Sequence, residues 1–357
     1  MRLGNNYIKI KSIPEDFLVE ENLGRIINHE KKYDSKFVIL ILNKCGFTTF
    51  EAIENISKIL KLDSSSIGYA GLKDEDGITW QKISLPIQKE DEIEYLKVEL
   101  RKYEEEEKFI DIRFIGYSAS TLHINDLSGN TFSIVLRNVS KQQIDNICQH
   151  KKYICVFPNY YDEQRFGMPG LPHVTHKVGE YLLQKNYEKA YFYFDYGNTG
   201  TVNHFLEEDK EEFFKKLDPR RLSFYYNSNS SFIFNQELKE LFCNIDKTEV
   251  EICSGGKISF PNNMNDIVNK YLLNSVTSFT RHIVSEKEII EKISYRNNFG
   301  CAQINIKEVY DDYLNPEKYA CRVTFSLPSG TYASLVIKQF LVFKGEKEAC
   351  IGALTLH

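Results

Sequence analysis

No C-x-x-C pair occurs among the eight cysteines, at positions 45, 148, 155, 243, 253, 301, 321 and 350. The spacing of a zinc ribbon or of a thioredoxin-type redox motif is therefore absent. No apolar run is long enough to cross a bilayer as a helix. The opening residues Met1-Arg2-Leu3-Gly4-Asn5-Asn6 hold no apolar signal core. A basic excess is also missing: 45 Lys and Arg stand against 50 Asp and Glu, a net charge of -5. That disfavours a general nucleic-acid binder and leaves room only for a local basic groove. These absences predict a cytoplasmic protein with reduced thiols and no membrane partner. His173-x-x-His176 has no nearby companion ligand, so no metal site is expected.

What is present suits a folded enzyme. The 357 residues suffice for two domains, or for one domain carrying a large insertion. The chain is 42% hydrophobic and 27% charged, an ordinary balance with ample core material. Its 24 Phe and 22 Tyr serve core packing first and base stacking second. The acidic run at 104–107 and the basic pairs Lys151-Lys152 and Arg220-Arg221 read as solvated faces.

Periodicity divides the chain into three. Residues 37–42 form a short apolar strand pattern. Thr48 and Glu51 have capping-box spacing before a helical stripe of Phe50, Ile53, Ile56 and Leu60. Residues 78–85 and 132–137 read as strands, and Ser140 with Gln143 opens a second capped helix. From about 159 to 298 the pattern is mostly helical, including 204–217 and 264–276, and polar clusters such as Asn227-Ser228-Asn229-Ser230-Ser231 punctuate it. Alternation returns at 319–327, followed by a turn at Pro328-Ser329-Gly330 and a helix over 332–340.

The most informative stretch is Gly71-Leu72-Lys73-Asp74-Glu75-Asp76-Gly77-Ile78-Thr79-Trp80-Gln81. Glycines flank a charged tip between two apolar segments, the pattern of a tight loop that presents a side chain. In isolation it equally describes a surface turn. Four further segments accompany it in order: Pro14-Glu15-Asp16-Phe17-Leu18-Val19-Glu20-Glu21, Gly129-Asn130-Thr131-Phe132, Pro158-Asn159-Tyr160-Tyr161-Asp162-Glu163-Gln164-Arg165-Phe166-Gly167 and Leu327-Pro328-Ser329-Gly330-Thr331-Tyr332-Ala333-Ser334. Together they resemble the TruD-type tRNA pseudouridine synthases, whose patterns are P-E-D-F-x-V-x-E, G-x-K-D-x-x-G-x-T-x-Q, G-N-x-F, N-Y-F-x-x-Q-R-F-G and L-P-x-G-S-[FY]-A-T. Two places depart. Residues 115–121 lack a basic cluster, and 273–281 lack the A-L-P-G-type turn common in such proteins.

The resemblance implies an α/β (α+β) pseudouridine-synthase core with a mixed sheet, interrupted by a mainly helical insertion. The implied boundaries are 1–157 and 300–357 for the core and 158–299 for the insertion. It implies an isomerase acting on a uridine of tRNA, at position 13 of the D arm, with no cofactor, no metal and no protein partner. Asp74 takes the catalytic role. Lys73 keeps it ionised or binds phosphate, Phe132 stacks on the base, Asn130 contacts the base or holds the loop, and Glu20 and Tyr332 border the site. Asn159, Gln164 and Arg165 shape the domain junction or touch RNA, and Arg220 and Arg221 are RNA-backbone candidates. A different RNA target, or a silent RNA-binding or chaperone protein of the same fold, are the competing readings.

Overall fold

Alternating burial along Phe17–Leu23 makes the first strand, β1, in the computed structural model. The structure describes residues 7–345 apart from 74, 87–89, 106–107, 168–169, 202–208, 253–255 and 286–287. Next come β2 (Phe37–Cys45), α1 (Thr49–Leu60), β3 (Gly68–Tyr69), β4 (Ile78–Leu85), α2 (Glu90–Leu100), β5 (Phe109–Ser118), β6 (Leu127–Val139), α3 (Lys141–Ile147) and β7 (Lys152–Pro158). After β7 lie α4 (Thr175–Leu183), α5 (Tyr187–Thr199), α6 (Lys210–Lys216), α7 (Pro219–Glu240), β8 (Lys247–Ile252), β9 (Gly256–Pro261), α8 (Met264–Leu273), β10 (Val276–Val284) and β11 (Ile289–Asn297). The chain closes with β12 (Phe299–Asp311), β13 (Tyr319–Pro328) and α9 (Ala333–Phe343).

The architecture is mixed α/β around one large sheet of order β5-β2-β4-β1-β6-β13-β12-β7, with β3 beside β4. β1 and β4 are parallel, whereas β1 pairs antiparallel with β6 and β6 with β13. Strands from both ends of the chain therefore share one sheet. Two compact units are present: Ile8–Tyr153 with Gln303–Gly330, and Ile154–Ala302 with the segment that carries α9.

In the first unit, α1 and α2 cover one sheet face. Val38, Leu40, Leu42, Ile83, Leu85, Ile110 and Ile112 meet Ala52, Ile53, Ile56, Ile93, Leu96 and Leu100 there. Both expected capping boxes form, Thr48 with Glu51 and Ser140 with Gln143. The expected α1 stripe needs one correction. Phe50 is exposed and meets Tyr69 edge-on, because Ala52 rather than Phe50 completes the buried arc.

The second unit carries α4 to α7 around Val178, Leu182, Ala190, Phe214, Tyr225 and Tyr226. It is less helical than expected, since β8–β9 and β10–β11 are antiparallel hairpins. The helix expected over 264–276 stops at Leu273, and β10 starts at Val276. Of the helix expected over 204–217, residues 204–208 lie outside the described residues and α6 accounts for the rest. The cluster 227–231 is no punctuation: it sits buried in the middle of α7. Its small polar side chains are satisfied by neighbours. Asn227 pairs with the His282 backbone through both its amide groups, at 2.8 Å each, and Ser228 donates to the Arg165 carbonyl at 3.1 Å. Ser230 and Ser231 donate back to the Tyr226 and Asn227 carbonyls at 3.4 and 2.7 Å, and a helix interior accepts such residues when their bonds are made one turn back or outside the helix.

One buried ion cluster ties the ends of the first unit together. Arg137 on β6 donates to Asp16 at 2.7 Å and to Asp312 at 2.8 Å, and its guanidinium lies 4.7 Å from the Tyr313 ring centre. Burial alone would raise the Asp312 pKa. The Asn138 amide, Asn315 and Arg137 outweigh it and hold the carboxyl below its ordinary range. Arg137→Met is expected to cost about 3–5 kcal/mol, since it strands two buried carboxylates. A depressed Asp312 pKa stabilises the folded state above the unfolded value of about 3.9, and that contribution is lost as pH falls through the folded pKa. Urea unfolding should therefore show a wild-type advantage at pH 7 that narrows below about pH 4.

Candidate active site

Strand parity builds the site. Odd residues of β1 share a face, so Phe17, Val19 and Glu21 point together. Across the ladder they oppose Ile134, Phe132 and Asn130 of β6. On β13, Val323, Phe325 and Leu327 continue the same rows. Apolar residues fill this face until the row where Glu21 and Asn130 stand side by side.

The loop between β3 and β4 is pinned over that row. The Lys73 ammonium donates to Glu21 Oε1 at 2.8 Å, with side-chain exposures of 4% and 0%. Glu21 Oε2 accepts the Lys82 backbone N–H at 2.8 Å, so both carboxylate oxygens are bonded. The Lys73 N–H donates to Thr49 Oγ1 at 3.0 Å, and Thr49 in turn donates to Gln81 Oε1 at 2.9 Å. Gln81 Nε2 then returns to the Gly71 carbonyl at 3.0 Å. The buried Lys44 ammonium donates to the Phe47 carbonyl at 2.8 Å and the Lys73 carbonyl at 3.3 Å. On the far side, the Gly46 N–H donates to the Glu75 carbonyl at 3.0 Å. Gly77 passes so near β1 that a Cβ would stand 2.5 Å from the Phe17 carbonyl oxygen. A side chain there would push the loop off its strand. Asp74, the expected catalytic residue, lies outside the described residues; its neighbours on both sides do not.

This geometry sorts the sequence expectations. Lys73 is buried and committed to Glu21, so it is no exposed phosphate contact. Glu20, expected at the site, instead points to the opposite face, 61% exposed, with its nearer oxygen 4.0 Å from the Lys82 ammonium. Glu21 occupies the place expected of it. Two signals identify Glu21 in the sequence: the parity set by Phe17 and Val19, and the final position of the P-E-D-F-x-V-x-E pattern. Asn130 stands beside Glu21 in register, and its side-chain carbonyl is buried without a hydrogen-bond partner among the described residues. Phe132 is 7% exposed and packed, with Phe325 stacked on it at 5.6 Å and Phe17 tilted against it at 6.1 Å. Burial lowers the Lys82 pKa, and the charges of Glu20 and Glu21 oppose that shift.

The other candidates belong to the second unit. The Asn159 carbonyl and side-chain oxygen accept from Arg296 at 3.1 and 3.0 Å, and its amide donates to Asn297. Gln164 is exposed. Arg165 donates to Ser231 Oγ at 3.1 Å and lies near the Phe224 and Tyr161 rings. Tyr332 precedes α9; its burial raises its pKa, and the charges of Arg296 and Arg165 act against that. Arg220 is exposed at the start of α7, while Arg221 donates to Asn198 at 3.1 Å and lies over Phe194. His176 of the H-x-x-H pair stacks on Phe232 at 4.3 Å, and burial brings its pKa down to about 4, a packed neutral ring. Among the described residues no group of three or more His, Cys, Asp or Glu side chains is placed to hold a metal ion.

Comparison with known proteins converges on one family. The family model described as tRNA pseudouridine synthase D (TruD) matches residues 5–196. The chain is 26% identical over 415 aligned positions to "Probable tRNA pseudouridine synthase D 2" of Methanocaldococcus jannaschii, covering 96% of this chain and 93% of that protein. It is 34% identical over 183 positions to "Probable tRNA pseudouridine synthase D" of Pyrococcus abyssi, covering 51% of this chain and 41% of that one. The solved structure of a putative tRNA pseudouridine synthase D (TruD) from Methanosarcina mazei has the same fold, with a TM-score of 0.55 and 20% identity over 95% of this chain and 94% of that chain.

Glu21→Gln is expected to destabilise the protein by about 3 kcal/mol, because it leaves the Lys73 charge buried without its counter-charge. Glu20→Gln on the exposed face should stay within about 0.5 kcal/mol of wild type. Denaturant titration of both variants checks this. Equal effects would mean that the two carboxylates do not differ in environment.

Proposed function

We propose a reaction site for this chain, which belongs to the tRNA pseudouridine synthase D family and is a tRNA pseudouridine synthase, an isomerase. The observation that carries the site is the buried Lys73–Glu21 pair, which anchors the loop one residue before Asp74. Asp74 is the catalytic carboxylate and the substrate is a uridine of tRNA. The target is position 13 of the D arm, which the five shared motifs support.

The reaction breaks the C1′–N1 bond of the uridine, turns the base and joins C1′ to C5. C5 loses a proton and N1 gains one, so product and substrate are isomers and no electrons are exchanged. An ionised carboxylate serves either as nucleophile at C1′ or as base at the ribose C2′. Either role needs the carboxylate held at the sugar, and a loop fixed at Gly71, Lys73, Glu75 and Gly77 supplies that constraint. Fixing those groups in advance lowers the ordering cost when RNA binds. The target base must leave its stack to reach the loop. The carbonyl of Asn130, buried without a partner among the described residues, supports a role for that residue in meeting a donor such as the uracil N3–H.

Asp74→Asn is expected to lower pseudouridine formation in unmodified tRNA by at least about a hundredfold, with unchanged thermal unfolding. Asp76→Asn should retain turnover. Carbodiimide mapping of the product should place the modification at position 13. A folded Asp74→Asn protein with near-wild-type rates would remove the assignment, and product at another position would remove the target.

A further inference from the structure

Two arginines of the second unit, Arg165 and Arg296, are held together without a carboxylate from any described residue. Arg165 follows β7 in the chain and Arg296 is the next-to-last residue of β11, yet both guanidiniums face the Tyr161 ring, at 5.8 and 4.0 Å from its centre. Their hydrogen bonds go to neutral oxygens. Arg296 donates to the Asn159 carbonyl, the Asn159 side chain and the Tyr160 carbonyl at 3.1, 3.0 and 3.2 Å. Arg165 donates to Ser231 Oγ at 3.1 Å. Neither forms a salt bridge with any described Asp or Glu. Asp162, whose charge reaches Tyr332, is occupied by Lys338 at 3.5 Å and by Ser334.

The contrast with Arg137 is informative. That guanidinium is also buried, and two carboxylates neutralise it. Arg165 and Arg296 are largely removed from water, and each feels other cations or rings rather than an acid; burial accordingly pulls both pKa values below the ordinary arginine value. Holding like charges together in a partly desolvated place is unfavourable, and an anion entering between them reverses the sign. Both residues keep partial exposure, so an anion can reach them. The hairpin extends the positive character. By register, Arg296 opposite Thr277 and Lys292 opposite Arg281 share one face of β10–β11. The Arg281 charge acts on Arg165.

We propose that Arg165 and Arg296, framed by Tyr161 and Tyr332 and flanked by Arg281, receive one phosphodiester group of the tRNA substrate. The planar, bidentate guanidinium matches phosphate geometry, and Tyr161 fixes the orientation of Arg296 before RNA arrives. The proposal rests on tRNA being the substrate and is independent of the assignment of Asp74.

The test is binding of bulk unmodified tRNA across a KCl series. Arg296→Gln and Arg165→Gln should each weaken binding about tenfold at 0.1 M salt. Each should lower the salt slope by about 0.7–0.9, the effect of one lost phosphate contact. The double variant should show the same slope change as either single one, because one phosphate is shared. Arg296→Lys, which keeps the charge, should retain the wild-type slope. Unchanged slopes in folded Gln variants, or additive slope changes in the double variant, would overturn the proposal. Phenylglyoxal labelling of the wild-type protein, read by peptide mass, needs no variant to fold. Bulk tRNA should block labelling of Arg165 and Arg296, and equal labelling with and without tRNA would overturn the site. Pseudouridine formation by the wild-type protein under saturating tRNA is scored separately. Its absence would remove the proposed function without altering the phosphate result.

Discussion

The Lys73–Glu21 ion pair is the constraint on which the candidate site depends. Two charges almost wholly out of water are costly unless each is well partnered. Here the carboxylate takes an ammonium on one oxygen and a backbone N–H on the other. The pair therefore sets one distance, between the end of β1 and the loop before β4. Thr49 and Gln81 repeat that function with neutral groups, bonding the loop backbone at Lys73 and Gly71. α1 contributes through Thr49, its first residue, so the capping box that starts this helix also positions a loop contact. Secondary structure, packing and the site are linked through a few polar side chains in an otherwise apolar region.

Loops are ordinarily the mobile parts of a domain, and a carboxylate on a mobile loop spends binding energy on being ordered. This loop is bonded to four separate elements, β1, β2, β4 and α1, and Gly77 lets its backbone pass β1 where a side chain would not fit. The arrangement places rigidity in the scaffold around Asp74.

The legible parts of the chain were those governed by local rules. Thr48 with Glu51 and Ser140 with Gln143 announce helix starts because capping satisfies backbone groups within four residues. Strand alternation at 319–327 was equally plain. Glu20 and Glu21 are adjacent acids that composition treats alike; the parity of Phe17 and Val19, read through to Glu21, and the final position of the motif both separate the exposed carboxylate from the buried one. The run 227–231 misled for a different reason. Asn and Ser favour turns when their side chains compete for the local backbone, whereas here Ser230 and Ser231 bond carbonyls one turn back in the helix, and Asn227 and Ser228 also reach residues 165, 175 and 282, far away in sequence. The Arg165–Arg296 pairing has no local signature at all. It arises from chain segments 131 positions apart, and only tertiary structure brings them to the same ring.

Net charge conceals how this chain handles electrostatics. An overall charge of -5 repels a polyanion at long range, so attraction has to come from positions where positive charge is not cancelled nearby. Lys73 and Arg137 are cancelled, each by carboxylates within 3 Å, and those cations stabilise the fold. Arg165 and Arg296 are not cancelled by any described carboxylate, although Ser231, Asn159 and Tyr161 hold them in place. Neutral partners fix the geometry and leave the charge available. A carboxylate in the place of Asn159 would hold Arg296 equally well and extinguish its field, so the choice of amide over acid separates a structural arginine from one available to an incoming anion.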